Sequence, residues 1–324
     1  MAEGEPQFEE ELPQSSINKI VGGTEAEQKK VLGQLGYEMQ TDSFKDFEYN
    51  GKFYWADEFE REKTEGEIGM ISDVLGKIEE FMKEMGSSKS LKIRPEQIRV
   101  LDREKAKKER FPLAHFYNQE EQCIFVYDLG DSLANMQGVT HEAIHMHSFQ
   151  SMEITRGKWA ITRRLGLGVK VKGEDFFYFD EINEALTEEL AIRFDRKYFK
   201  LVPGLEKEIK ERQDFCDSYL KGDPNEKALS EEIAYIVTDP NTLEKVAVPH
   251  SYPNERSRLN DLINDIFEKN KEESGGVFKS EDEVFVLFVE ATTSGKMLKL
   301  SRIIEKTYGK GSFRKLGSKT QTKG

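Results

Sequence analysis

Five residues near the middle of the chain, His141-Glu142-Ala143-Ile144-His145, constrain the fold more than any other stretch. On an α-helix, four residues turn the chain through roughly 400°, so His141 and His145 share one face. Two imidazoles stacked in that way can hold one tetrahedral zinc ion. Glu142 directly follows the first of them, where a carboxylate reaches the water that the metal activates and takes its proton. Histidine is scarce, with five in 324 residues, yet His141, His145 and His147 fall close together. The competing reading is a polar helix face carrying two unrelated histidines.

The flanking residues support the helix. Gly130-Asp131-Ser132 offers a turn and an N-cap, since Asp or Ser accepts from the first free backbone N–H groups. Leu133, Met136, Val139, Ala143 and Met146 recur near helical spacing and give one side for a core. His147 points off the ligand face and is expected at the surface or the helix end.

Composition bounds the setting. Lys and Arg number 48 against 61 Asp and Glu, a net charge of −13, which argues against nucleic acid as a general partner because phosphate binding needs a basic face. Cys123 and Cys216 are far apart and lack C-x-x-C spacing, so neither a disulfide framework nor a thiolate zinc site is suggested. The N-terminus shows no basic segment followed by an apolar run, and no apolar run reaches the roughly 18 residues that span a bilayer. A cytoplasmic protein with no membrane partner is expected.

Along the chain, residues 1–16 read as a disordered acidic tail, with Glu3, Glu5, Glu9, Glu10, Glu11, Pro6 and Pro13. Residues 17–90 read as an N-terminal region, with a hairpin over 47–55 turning at Asn50-Gly51 and a helix over 67–85. Strands are expected at 98–101, 113–117 and 122–127, with a charged, solvated connection from Asp102 to Arg110. Leu165, Leu167, Val169 and Val171 alternate with Gly166, Gly168, Lys170 and Lys172, which predicts one half-buried strand. Helices are expected over 197–222, 258–269, 281–292 and 296–307, and a basic tail over 317–324.

A two-histidine zinc site needs a third protein ligand. Ile182, Leu186, Leu190 and Phe194 recur every fourth residue, so the segment from Glu181 onward is an amphipathic helix, with Glu184 and Glu188 together on a neighbouring face. If Glu184 binds metal, Glu188 stands one turn on, where it can hydrogen-bond a ligand histidine. The alternative is an acidic face turned to solvent.

His141-Glu142-Ala143-Ile144-His145 followed by Asn183-Glu184-Ala185-Leu186-Thr187-Glu188 resembles the gluzincin metallopeptidases, the thermolysin-like group. A downstream helix of those enzymes carries a similar Asn-Glu-Ala-x-Ser/Thr-Asp/Glu segment. The resemblance implies a zinc ion held by His141, His145 and Glu184, with Glu188 bracing a ligand histidine and Asn183 beside it. The interval from His145 to Glu184 is longer than in thermolysin-like enzymes, and residues 1–90 match no known pattern. The metzincin extension is absent, since Ser148 and Ser151 stand where its glycine and third histidine would be.

The resemblance implies an α+β, zincin-like catalytic domain over 91–316: a mixed sheet with the active-site helix, then a helical C-terminal lobe. The implied activity is hydrolysis of a peptide or protein, with Glu142 as base. The oxyanion donor is expected from Tyr252, ahead of Tyr178 and His250, because Pro253 biases Tyr252 toward an extended, projecting conformation. Strand 122–127, with Cys123 and Phe125, stands where zincins place the edge strand that pairs with substrate. Two other readings are a catalytically silent peptide-binding module on the same fold and a toxin- or effector-type gluzincin.

Overall fold

The computed structural model describes residues 15–38, 47–49, 52–54, 59–108, 115–155, 160–171, 176–239, 242–272 and 275–318. Strands and helices alternate in the first part: β1 (Lys19–Val21), α1 (Glu25–Glu38), β2 (Phe47–Tyr49), β3 (Lys52–Tyr54), α2 (Glu65–Glu84), β4 (Ile98–Leu101) and α3 (Arg103–Lys108). Then come β5 (Phe116–Asn118), β6 (Cys123–Tyr127), α4 (Ser132–His147), β7 (Gln150–Ile154), β8 (Ala160–Leu165), β9 (Gly168–Lys170) and β10 (Phe177–Tyr178). The remainder is mainly helical: α5 (Asp180–Tyr198), α6 (Glu206–Tyr219), α7 (Glu226–Glu231), the hairpin β11 (Ile233–Thr238) and β12 (Lys245–Pro249), and then α8 (Pro253–Asn270), α9 (Glu281–Ser294), α10 (Leu298–Tyr308) and α11 (Ser312–Gly317). Among the described residues no helix is long and apolar enough to cross a membrane.

Local chemistry sets these boundaries. Thr64 and Glu67 form a reciprocal capping box that starts α2, whose buried stripe is Ile71, Val74, Leu75, Ile78, Phe81 and Met82. Gly86, at φ 86°, follows its end. β2 and β3 pair antiparallel, Phe47 opposite Tyr54, as expected of a hairpin over 47–55; its expected turn at Asn50-Gly51 lies outside the described residues. Residues 1–14 of the expected acidic tail, and 319–324 of the basic one, lie outside the described residues. Ser16 is buried, its backbone N–H donating to Gln122 Oε1 and its hydroxyl set among Gln122, Gln150 and Tyr117.

A smaller sheet packs against the motif helix, and most of a larger one follows it in the chain. The smaller has the order β4-β6-β5, with β4 parallel and β5 antiparallel to β6. This corrects the expectation for 122–127: β6 is the central strand, paired on both sides and buried along its whole length, so Cys123 and Phe125 pack in a core. The border strand beside α4 is β5. The charged run after Asp102 is not irregular, because the Asp102 carboxylate accepts from Glu104 and Lys105 N–H and starts α3.

The larger sheet has the order β1-β7-β8-β9-β10, parallel only where β1 joins β7. It corrects the strand expected over 165–172. Leu165 pairs with Gly168 across a two-residue turn, with Gly166 at φ 58°. A Cβ on Gly166 would lie 2.2 Å from Asn183 Oδ1, and that oxygen accepts from Leu167 N–H at 2.9 Å. The alternating glycines serve a turn pressed against α5, not a pleat.

α4 differs from the one-sided helix that the sequence suggests. Every residue from Leu133 to His147 is buried, because α2, α5, β5 and β6 enclose it. Its apolar residues join the main core, where each fully buried Leu, Ile or Met side chain contributes about 1.5–3 kcal/mol. The helix expected over 197–222 is interrupted: a 3₁₀ turn at Phe199–Leu201 and Gly204, at φ 91°, precede α6.

Candidate metal centre

α4 and α5 run antiparallel, and side chains facing across them form three rungs. Gln137 meets Asp195, His141 meets Glu188, and His145 meets Glu184 and Thr187. Positions 137, 141 and 145 advance by one turn each along α4, while 195, 188 and 184 recede along the facing side of α5.

Three atoms converge at one end of this ladder. His141 Nε2 lies 3.2 Å from His145 Nε2, and Glu184 Oε2 lies 3.4 Å from the first and 3.3 Å from the second. Among the described residues these three side chains form the group that could hold a metal ion. A tetrahedral ion with bonds of about 2.0–2.1 Å separates its ligand atoms by roughly 1.63 times the bond length, about 3.3–3.4 Å. The triangle therefore has the size that such an ion requires.

Neighbouring groups aim the rings. Glu188 Oε2 lies 2.7 Å from His141 Nδ1 and, as a carboxylate, accepts the ring N–H. That fixes the tautomer and leaves the Nε2 lone pair pointing into the triangle. Thr187 Oγ1 stands 3.5 Å from His145 Nδ1. Imidazole lone pairs and a carboxylate oxygen meeting this closely repel unless a cation, proton or metal, lies between them.

The electrostatics carry the same demand. Burial opposes protonation of His141, but Glu184 and Glu188 outweigh it and hold the imidazole well above its ordinary pKa. Burial would raise Glu184, yet the two histidines hold its carboxyl far below the usual range. Glu188 is depressed likewise: burial opposes, while His141 and His250 prevail. Glu142 goes the other way. Its burial pushes the pKa up, only partly countered by His141, His145 and the backbone N–H of Tyr117.

Tyr252 stands at the site. Its ring stacks on His141 with centroids 5.9 Å apart, and its hydroxyl lies near enough to the Glu184 carboxylate to feel its charge. Burial and that carboxylate raise its pKa. Its backbone is not the extended one expected before Pro253 but left-handed, at φ 55° and ψ 42°, which costs roughly 1–2 kcal/mol. Ser251 N–H donates to Glu188 Oε1 at 3.0 Å, so this loop is fastened to the ladder.

The other sequence candidates fall elsewhere. His250 is buried, with Nδ1 3.4 Å from Glu188 Oε1 and Nε2 3.8 Å from Asp195 Oδ2. Tyr178 packs against the main core. Glu181 pairs with Arg258 at 3.1 Å, away from the triad. The Asn183 carboxamide secures the β8–β9 turn. His147 is buried at the end of α4 rather than exposed, and burial, then Lys89 and Lys83, push its pKa down to about 3.

Three contributors escaped the sequence reading: Thr187, the Tyr117 N–H and His115. A Cβ on Gly138, one turn before His141 on α4, would lie 2.3 Å from the His115 ring, whose Nδ1 accepts from Tyr127 N–H at 3.1 Å. Burial, with a smaller contribution from His141, lowers the His115 pKa to about 4. A glycine inside a helical pattern signals a close approach, but not what approaches. No protein-family model, curated protein or solved structure matches the chain.

Proposed function

We propose that the chain is a zinc-dependent metallopeptidase of the gluzincin type, with His141, His145 and Glu184 holding the ion. The observation that carries this reading is the triangle of 3.2, 3.3 and 3.4 Å between two imidazole nitrogens and a carboxylate oxygen. Bound zinc would acidify a water molecule and polarise a substrate carbonyl.

The chain's own residues then have distinct tasks. Glu188 and Thr187 orient the histidines. Glu142 takes the water proton and returns it to the leaving amine; its raised pKa suits both transfers. Tyr252 brings a hydroxyl beside Glu184, where it can donate to a developing oxyanion. The substrate is an extended peptide added along β5, since the Tyr117 N–H of that strand reaches Glu142.

The test is metal content, then cleavage of a mixed peptide library by wild type and Glu142→Gln. About one zinc per chain, with cleavage abolished in a zinc-loaded Glu142→Gln, is the expected result. A metal-free chain after purification with zinc supplied would overturn the centre. Zinc bound without cleavage by wild type would instead leave a silent metal-binding module.

A further inference from the structure

The base of the ladder holds a second polar cluster, away from the triad. Asp195, 4 % exposed, receives both terminal nitrogens of Arg212, at 2.7 and 2.9 Å, and Gln137 Nε2 at 2.9 Å. Arg212 also donates to Ala234 O at 2.7 Å, tying α6 and β11 to α5. Asp195 is thus a fixed point, held by donors from two elements, α4 and α6.

His250 bridges this fixed point to the metal centre. One ring nitrogen faces Asp195 at 3.8 Å and the other faces Glu188 at 3.4 Å. Its backbone N–H donates to Glu232 O at 2.9 Å, so the ring enters from a fastened main chain. Glu188 is then held at both oxygens, Oε2 by His141 and Oε1 by Ser251 N–H, and the His250 ring packs beside Oε1 with Nδ1 3.4 Å away and no hydrogen bond made. Oε1 has one backbone donor, so without the His250 ring packed beside it the carboxylate gains room to rotate about that bond.

We infer that His250 is a positioning residue of the metal centre, spanning Asp195 and Glu188 so that the Glu188 carboxylate stays aligned on His141. This rests on the metal-centre reading above. His250 touches no ligand atom; its effect on the ion passes through Glu188. A side chain that merely fills space beside Glu188 would leave metal affinity alone, or change it independently of Glu188.

The experiment is a double-mutant cycle on zinc affinity, by chelator competition, with wild type, His250→Gln, Glu188→Gln and the double variant. Direct partners of metal ligands typically shift affinity by about 10- to 100-fold, so one contact further out His250→Gln should weaken zinc about 3- to 10-fold. In the Glu188→Gln background the same change should have less than about a twofold effect. In the cobalt-loaded protein, His250→Gln should move the exchangeable ring N–H resonance of His141 and leave that of His145 in place. Asp195→Asn, which keeps the His250 ring, is the second variant and should show the same loss of effect in the Glu188→Gln background. Unchanged affinity in His250→Gln, or equal weakening in both backgrounds, overturns the inference while leaving the zinc centre standing. A wild-type chain that takes up no zinc overturns both.

Discussion

Gly138→Ala should destabilise the protein although alanine is the better helix former. An interior Gly→Ala change gains about 1 kcal/mol in a helix. Here the added Cβ would lie 2.3, 2.5 and 2.6 Å from three atoms of the His115 ring. Ordinary carbon contacts begin near 3.5 Å, so the ring must retreat by about 1 Å. Its Nδ1 accepts from Tyr127 N–H at 3.1 Å, and that retreat breaks the bond. Overpacking costs about 1–3 kcal/mol and an orphaned buried N–H about 1–3 kcal/mol more. After the helix gain, a net loss of about 1–5 kcal/mol remains. The sign should reverse in a His115→Ala background, where clash and hydrogen bond are both gone and alanine at 138 should stabilise by up to about 1 kcal/mol. Urea unfolding of the four proteins reads both values. If Gly138→Ala raises stability with His115 present, or acts with the same sign in both backgrounds, the packing of His115 on α4 is wrong.

Zinc affinity should fall most for Glu184→Ala, about 10- to 100-fold for Glu188→Ala, and little for Glu181→Ala, whose carboxylate pairs with Arg258; chelator competition ranks them, and a large Glu181 effect would contradict the assignment. Tyr252→Phe should lower kcat by up to about 10²–10³-fold with zinc retained while Tyr178→Phe leaves it unchanged; the reverse pattern at saturating peptide would move the donor to Tyr178. His115 and His147, with folded pKa values of about 4 and about 3, bind protons more readily unfolded, so their neutral burial supports stability above about pH 6.5 and that support is lost as pH falls toward 4. At pH 5 the loss is about 2 kcal/mol for each, and a His147→Gln variant whose urea midpoint falls as much as that of wild type between pH 7.5 and 5 would refute it.

The sequence exposes those parts of the site that repeat along one helix. His141 and His145, or Glu184 and Glu188, share a face because four residues make about one turn, and the structure brings those faces together. The apolar stripes of α2, α8, α9 and α10 are legible for the same reason. What stays hidden depends on partners distant in sequence. β6 is central because β4 joins it in parallel, which no property of residues 122–127 announces. The glycine alternation at 165–172 has the period of a strand, but Asn183 turns Gly166 and Leu167 into a hairpin. His250 looks like any loop histidine until Asp195 and Glu188 stand on either side of it.

The contacts of Ser16 impose an order on synthesis. Its partner Gln150 lies 134 residues further along the chain, which a ribosome adding about 5–20 residues per second reaches after roughly 7–27 s. Glu188 waits a further 63 residues for Ser251, roughly 3–13 s. During that interval His141, His145 and Glu184 have all been made, while the loop bearing Tyr252 has not. A nascent chain therefore carries the whole His141, His145 and Glu184 group before the Tyr252 loop that packs beside it exists, and the Thr292 and Gly317 carbonyls that fasten Phe149 and Phe179 come later still.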